Sequence, residues 1–306
     1  MDTIKTTQKI RPFLWFDDRA EEAVNFYVSI FPNSKISLMK KWPKKTPFPP
    51  ESTKPGSVQQ ANFDLDGCQF CAFDAGPLFK FNPSISFFAI FETKDEVDAI
   101  WNKLMEGGEA LMPLDSYDWS ERYGWVTDRF GISWQLMKGK LSDVGQRITP
   151  LIMYSGRQRG KAEEAMNLYM SIFKDSSSDG VAKYDVGEPG PEGMVKHAQF
   201  RLGNQSFMVM DNGTENDIPF TEAISLYVNC KDQAEVDYFW NRFTEEGSES
   251  VCGWLKDKFG VSWQIVPEFL TEKLALEEPT KRQRLFEALN RMKKLDVAKL
   301  KEAYNQ

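Results

Sequence analysis

Two glutamines lie in the middle of apolar stretches that occur twice in the chain. Gln135 belongs to residues 124–137, GWVTDRFGISWQLM, and Gln264 belongs to the copy at residues 253–266, GWLKDKFGVSWQIV. A buried amide that lacks a partner costs about 1–3 kcal/mol. We therefore expect each glutamine to bind either a protein group or a ligand.

Arg11 and His197 are two further side chains with chemistry to offer. His197 is the only histidine, hence the only side chain whose unperturbed pKa lies near neutrality. It could act as an acid or base, or take a plain hydrogen-bonded role; its copy is Gln60, so the two halves cannot share a histidine mechanism. Arg11 lies in an apolar strand, where it could hold a carboxylate or phosphate or reach solvent at the start of the strand.

The elements that must position these residues also occur twice. Residues 20–31 match residues 162–173, and both segments have apolar residues at helical spacing. A second helix is predicted at 95–106, with its copy at 233–246. Strands are predicted at 10–16, 58–65, 68–73, 85–91, 123–127 and 132–137. They are predicted again at 148–154, 195–202, 205–210, 224–230 and 261–266, with a further strand just before the turn that begins at Asp257. Each half of the chain therefore reads βαβββ twice.

The aspartates of the repeat are predicted to be structural. Asp128 and Asp257 begin the Asp-x-Phe-Gly turns, in which aspartate tolerates tight geometry and glycine supplies a positive φ. Asp74 and Asp211 each end a hairpin, which is also a structural position.

The chain is long enough for two domains, which we place at residues 1–140 and 145–268, followed by a helical tail at 269–306. The tail has apolar residues at helical spacing with lysine and arginine between them. We expect it to pack on the second domain or between the domains. Binding to a membrane surface is the alternative.

Composition excludes several classes of function. The formal net charge of −7 gives no global basic field for nucleic acid. The longest apolar run, 85–91, is too short to cross a bilayer, and the first residues lack the apolar segment of a signal peptide. Four cysteines in 306 residues are not a disulfide framework. A cytoplasmic protein without membrane or nucleic-acid partners is predicted.

Ala-Glu-Glu-Ala-x-x-x-Tyr and the closing Phe-Gly-x-Ser-Trp-Gln, each present twice, resemble motifs of the vicinal oxygen chelate (glyoxalase/bleomycin-resistance/dioxygenase) superfamily. The chain is most similar to its PhnB-like branch, often described as 3-demethylubiquinone-9 3-methyltransferase domains. The resemblance covers residues 8–138 and 146–268. It implies an α+β fold of two tandem domains, each with two βαβββ modules that form an eight-stranded, open, cup-shaped mixed sheet.

Metal-dependent members of this superfamily carry His or Glu ligands on the first and last strands of each module. Matched motif to motif, those places hold Arg11, Cys71, Ser86 and Gln135 in the first domain and Thr149, Met208, Ser225 and Gln264 in the second. None is a carboxylate or an imidazole, so the departure from the family pattern implies that no metal is bound. Neither predicted first strand leads into a glycine-rich turn for a methyl donor, and no cofactor is expected.

A ligand is expected in the cup, on the strand face that carries Gln135. The predicted ligand-binding residues are Arg11, Phe13, Trp15, Asn62, Ser86, Phe88, Gln135, Tyr227 and Gln264. These residues favour a metal-free protein that binds a small, partly aromatic, anionic organic molecule in the first domain, with weaker binding in the second.

The alternative function is an enzyme of the same superfamily, a lyase, isomerase, dioxygenase or methyltransferase. His197 and Arg11 are then the catalytic candidates. The two domains are expected to form an internal pseudo-dimer within a monomer or weak homodimer.

Overall fold

The computed structural model describes residues 8–42, 54–275 and 279–306. Its strands are β1 (Ile10–Phe16), β2 (Lys35–Lys41), β3 (Val58–Leu65), β4 (Cys68–Asp74), β5 (Ile85–Phe91), β6 (Glu109–Tyr117), β7 (Ser120–Thr127), β8 (Ser133–Lys138), β9 (Ile148–Tyr154), β10 (Ser177–Lys183), β11 (Val195–Leu202), β12 (Gln205–Asp211), β13 (Ile224–Cys230), β14 (Ser248–Glu249), β15 (Trp254–Lys256) and β16 (Ser262–Pro267). Its helices are α1 (Ala20–Ile30), α2 (Lys94–Leu104), α3 (Leu141–Val144), α4 (Ala162–Ile172), α5 (Gln233–Thr244), α6 (Glu268–Ala275), α7 (Pro279–Leu289) and α8 (Val297–Asn305). The helices and strands predicted from the repeat are present.

The strands that sequence patterns did not identify are β2, β6, β10 and β14. All four lie at sheet edges. Every residue of β10 is exposed, and β6 has no buried residue. An edge strand with solvent on both faces needs no alternation of apolar and polar residues, so periodicity does not reveal it.

The fold class is confirmed: two eight-stranded mixed sheets form, with helices in an α+β arrangement. The sheet that we call sheet II has the order β10-β11-β12-β9-β5-β8-β7-β6. At its centre β5 pairs antiparallel with β9, and Ser86 faces Leu151. Sheet II therefore joins the second module of the first repeat to the first module of the second repeat, which differs from pairing within each repeat.

The contacts of the chain define two units, whose bounds differ from those of the sequence repeats. Unit two is Leu14–Ile224, and unit one comprises the described residues up to Phe13 and those from Ser225 onward. Unit two contains all of sheet II and, of the other sheet (sheet I), the end of β1 followed by β4, β3 and β2. Unit one contains the start of β1 followed by β13, β16, β15 and β14.

The turn that precedes β8 is held by a buried carboxylate, as predicted. Asp128 accepts hydrogen bonds from the backbone N–H groups of Phe130 (2.8 Å) and Ile132 (3.0 Å). It also accepts from the indole of Trp134 (2.9 Å) and the hydroxyl of Tyr27 on α1 (2.7 Å). These bonds tie α1 to the face of sheet II opposite Gln135.

The second copy of the turn has the same design. Asp257 accepts from the backbone N–H groups of Phe259 and Val261 and from the indole of Trp263. Gly131 and Gly260 complete the two turns at φ +90° and +93°, a region that favours glycine. The repeated motif therefore fixes the start of the strand that carries each glutamine.

The C-terminal tail packs on the second repeat, within unit one. Leu270, Leu285, Leu295 and Leu300 are buried against Tyr227 of β13 and Val266 of β16. Of the two positions expected for the tail, the contacts with Tyr227 and Val266 show packing on the second repeat. In the described part of the chain, no helix has both the length and the apolar character needed to span a membrane.

Candidate functional site

Gln135 lies on β8, between β5 and β7 of sheet II, and its amide is held between two hydroxyl groups. Its Nε2 donates to the Oγ of Ser86 at 3.0 Å, and its Oε1 accepts from the hydroxyl of Tyr123 at 2.8 Å. All three side chains are buried. Burial raises the pKa of Tyr123, so its phenol stays protonated and acts as the donor. The expected partner of the buried amide is therefore protein.

Apolar side chains surround this hydrogen-bonded chain on the same face of sheet II, which we call cup II. The buried members are Phe88, Ile90, Tyr123, Val144, Leu151, Met153 and Met208, and partly buried Met112, Tyr117, Trp125, Met137, Leu141, Met210 and Ile218 pack against them. Methionine side chains are flexible and polarisable, so a surface rich in them can repack around differently shaped apolar molecules.

His197 belongs to cup II as well. It lies on β11, partly buried, with its ring centroid 6.1 Å from that of Phe88. Burial lowers the pKa of this imidazole, so it is neutral at pH 7. Across the ranges that the structure describes, the imidazole of His197 makes no side-chain hydrogen bond, although its backbone belongs to the ladder between β10 and β11. A neutral imidazole has one nitrogen that can accept a proton.

The second glutamine repeats only part of this arrangement, in unit one. Gln264 on β16 donates through Nε2 to the Oγ of Ser225 at 2.9 Å, which matches the bond between Gln135 and Ser86. The residue that corresponds to Tyr123 is Cys252, whose thiol donates instead to an asparagine of the tail.

Arg11 lies in unit one and is 1% exposed. The alternative that its head reaches solvent is therefore wrong. Its guanidinium lies over the ring of Tyr227, 4.7 Å from the centroid, and Phe13 stacks on the same tyrosine with centroids 6.2 Å apart.

The predicted ligand-binding residues are divided between sheet I and sheet II. Ser86, Phe88 and Gln135 lie together in cup II, whereas Arg11, Phe13, Tyr227 and Gln264 lie in the part of sheet I that belongs to unit one. The prediction that Arg11 and Gln135 face one ligand assumed that each repeat closes its own sheet. The pairing of β5 with β9 places them on different sheets.

Trp15 and Asn62 lie in unit two, in the other part of sheet I. The indole of Trp15 donates to the carbonyl of Gly76 at 3.0 Å and borders a groove of 310 Å³ that Phe79 also lines. Asn62 is buried and accepts a long bond of 3.4 Å from Gln60. Neither residue contributes to cup II.

Sequence reasoning missed the residues that complete the site around Gln135. Tyr123 lies on β7, the strand beside that of Gln135. The alternation of side chains along β7 places Tyr123 on the cup face, so the sequence did contain a signal for it. Gln146 comes from the segment between the repeats. Its Nε2 donates to the Oγ1 of Thr149 at 3.3 Å and to the carbonyl of Ser206 at 2.8 Å. No pattern in a linker predicts such contacts.

The donors that meet in cup II are poor ligands for a divalent cation. With sheet II assembled, the four strand positions expected to carry ligands hold Ser86, Gln135, Thr149 and Met208. Hydroxyl, amide and thioether groups are weaker ligands for such a cation than the imidazoles and carboxylates of metal centres. Within residues 8–42, 54–275 and 279–306, no group of three His, Cys, Asp or Glu residues has the arrangement of a metal site.

Comparisons with known proteins agree with the repeat. A family model described as 3-demethylubiquinone-9 3-methyltransferase matches residues 8–137 and 146–266. A PhnB protein from Bacillus cereus is 40% identical over 43% of this chain and 100% of its own, with a TM-score of 0.41. Glyoxalase I from Zea mays is 11% identical over 88% of this chain and 97% of its own, with a TM-score of 0.56. A search among curated proteins gave no match. The likeness to glyoxalase I shows a shared fold, that of the vicinal oxygen chelate proteins.

Proposed function

Because the chain belongs to the 3-demethylubiquinone-9 3-methyltransferase family, we propose that it is a metal-free binding protein for a small organic molecule, held in cup II. The observation that carries this proposal is the chain of hydrogen bonds Tyr123–Gln135–Ser86. Ser86 and Gln135 stand at strand positions where metal-dependent members of the superfamily are expected to carry ligands, and together with Tyr123 they satisfy one another's hydrogen bonds. Apolar walls with a few oriented polar groups are typical of sites for organic ligands.

The ligand of cup II is expected to be apolar or aromatic and uncharged. Among the residues that the structure describes, Arg11 is the only buried cationic side chain, and it does not belong to cup II. The arginine that was expected to bind an anionic group lies in unit one instead. Phe88 and Tyr123 offer aromatic surface, and the methionines offer adaptable contact.

A neutral fluorescent probe, N-phenyl-1-naphthylamine, tests this proposal on the full chain. Met153→Trp introduces the residue that the first repeat has at the matching position, Trp15, and fills the cup. We expect it to weaken probe binding at least about tenfold, since added bulk in a packed site excludes the ligand. Met153→Leu and Trp15→Met serve as controls that keep the affinity. Equal affinity in Met153→Trp and Met153→Leu, or no binding to the unsubstituted protein, contradicts the proposal.

Elemental analysis after purification without chelators tests the metal-free part. We expect less than about 0.1 equivalent of Zn, Ni, Mn or Fe per chain, because hydroxyl, amide and thioether donors compete poorly for these ions. One equivalent of any of them that survives dialysis would overturn this part of the proposal.

His197 favours one alternative, an enzyme that uses the neutral imidazole as a general base in cup II. Its position beside Phe88 and its lowered pKa support that role. His197→Gln, which introduces the residue of the first repeat, distinguishes the two functions. An enzyme loses turnover while it keeps the probe, whereas a binding protein has no turnover to lose.

We also propose that the chain acts as a monomer or weak homodimer. Two repeats in one chain supply the pair of copies that single-domain relatives bring together by association. Sedimentation that shows a tetramer at all concentrations contradicts this.

A further inference from the structure

Two hydrogen-bond donors of Arg11 are not used by the part of the chain that the structure describes. The Nε and Nη2 of Arg11 are buried and have no acceptor among the described residues. A buried charge without a partner is strongly unfavourable, so proteins pair such groups or bind a ligand with them. These two nitrogens form one edge of the guanidinium, and their N–H bonds point the same way. That edge is the one that holds both oxygens of a carboxylate.

The face of the Arg11 guanidinium is already in contact with an aromatic ring, so the edge formed by Nε and Nη2 is the part that can bind a ligand. Tyr227 lies against the face at 4.7 Å. Phe13 stacks on Tyr227 with an interplanar angle of 13°, and Trp254 meets Phe13 edge to face at 79°. A cation–π contact uses the face of the guanidinium and leaves its in-plane donors available. Phe13 and Trp254 are only partly buried, so they retain surface for an apolar group.

The C-terminal helices cover this face of unit one. The hydroxyl of Tyr227 is hydrogen-bonded to that of Thr271 on α6, and the amide of Asn229 donates to Glu268 at 3.0 Å. Leu285 and Leu300 pack against the same cluster. An anion beside Arg11 would therefore be shielded from water, where its attraction to the guanidinium is strongest.

The helices that form this cover carry six Lys or Arg residues and four Glu residues, so their balance is positive. The ammonium groups of Lys273, Lys281 and Lys301 lie within 4.9–5.7 Å of the ring of Tyr304 or Phe269. Tyr304 and Phe269 pack against the cluster that contains Tyr227. A cationic surface above a buried arginine attracts anions and disfavours cations.

We propose that unit one contains a second ligand site, which binds an organic carboxylate on Nε and Nη2 of Arg11. The apolar or aromatic body of this ligand contacts Phe13, Tyr227 and Trp254 beneath the C-terminal helices. A carboxylate fits better than a phosphate, because its two oxygens match the two free donors. A phosphate dianion would bring further oxygens and charge into an apolar cover. This site is separate from cup II and does not depend on the function proposed there.

Calorimetric titration of the full chain with benzoate tests the site. We expect one benzoate per chain, and we expect Arg11→Met to weaken binding at least about tenfold, as loss of a charge-assisted pair requires. Arg11→Lys keeps the charge but offers no parallel pair of donors, so it should also bind more weakly. Arg147→Met is the matched control. Arg147 already donates to Asp66 at 2.6 Å and to the carbonyl of Ile90 at 3.0 Å, and benzoate binding should be unchanged.

Thermal unfolding without ligand gives a second measurement that does not depend on binding. Removal of a buried, unpaired charge should leave the unfolding temperature of Arg11→Met equal to or above that of the unsubstituted protein. Arg147→Met, which breaks an ion pair, should unfold at a lower temperature. If Arg11→Met is clearly destabilised and benzoate does not bind the unsubstituted protein, Arg11 is structural and the proposal is wrong.

Two further outcomes would overturn the proposal. Equal benzoate affinity in Arg11→Met places the ligand elsewhere, and tighter binding of phenyl phosphate or inorganic phosphate excludes a carboxylate site. Met153→Trp separates this site from cup II, because it should abolish binding of the neutral probe and leave benzoate binding unchanged.

Discussion

The glutamine–serine pairs of the two repeats have nearly the same geometry and very different surroundings. Gln135 and Ser86 are joined at 3.0 Å beneath methionines and a histidine, and Gln264 and Ser225 at 2.9 Å in the unit whose tail packs over the sheet. The hydrogen bond between glutamine and serine is thus present in both repeats. The residues around each pair differ, and that difference is the basis of the two proposals above: an uncharged ligand for cup II and an anionic ligand beside Arg11.

The largest expected effects concern the part that the two repeats share. Asp128→Ala and Asp257→Ala should each lower the free energy of unfolding by at least about 3 kcal/mol, because several buried donors lose a charged acceptor. Denaturant unfolding measures this. Asp128→Asn keeps one acceptor oxygen and should cost less. If one aspartate matters and the other does not, the two turns are not equivalent.

The next largest expected loss of unfolding free energy concerns the C-terminal helices that cover the sheet in unit one. Leu300 is fully buried in the tail, so Leu300→Ala should cost about 2–5 kcal/mol through the cavity it leaves. Met208→Leu in cup II keeps the volume of the side chain and should cost less than about 1.5 kcal/mol. Denaturant unfolding of both variants compares the two regions. A cost near zero for Leu300→Ala would show that the tail does not stabilise unit one.

Tyr123→Phe makes cup II resemble unit one, where cysteine occupies the matching position. It leaves the Oε1 of Gln135 buried without its donor and should cost about 1–2 kcal/mol. Tyr117→Phe is the control, since its hydroxyl bonds to the carbonyl of Pro113 in an exposed place and its loss should be nearly neutral. Equal costs for the two variants, measured by chemical unfolding, would mean that the bond to Gln135 is unimportant.

The smallest effect concerns His197. Burial lowers its pKa below the ordinary value of 6.5, so the unfolded chain takes up a proton before the folded chain does. The neutral imidazole therefore contributes its full share of folding stability above about pH 6.5. That contribution is lost as the pH falls below this value, until the histidine of the folded chain is also protonated. The unfolding temperature of the unsubstituted protein should fall more between about pH 7.5 and about pH 5.5 than that of His197→Gln. Parallel pH profiles would contradict this.

Several features were predictable because they depend on local patterns. The helices, the inner strands and the Asp-x-Phe-Gly turns follow from periodicity and turn chemistry, which involve only a few neighbouring residues. The edge strands were missed because solvent on both faces removes that pattern. The partner of Gln135 could have been found by extending strand parity to Tyr123. The contacts of Gln146 could not, since a linker residue has no period.

The sequence alone determined the repeat, the module of one helix with its strands, and the absence of His and Glu from the positions where relatives hold a metal. These are properties of residue types and their spacing. Only the tertiary structure decided that Arg11 and Gln135 lie on different sheets and that the tail covers unit one. The physical reason is that β5 and β9 each lie at the edge of their own four-stranded module, and such an edge can pair with any strand of suitable register. Which strand pairs there depends on the free energy of the whole chain, which no local pattern contains.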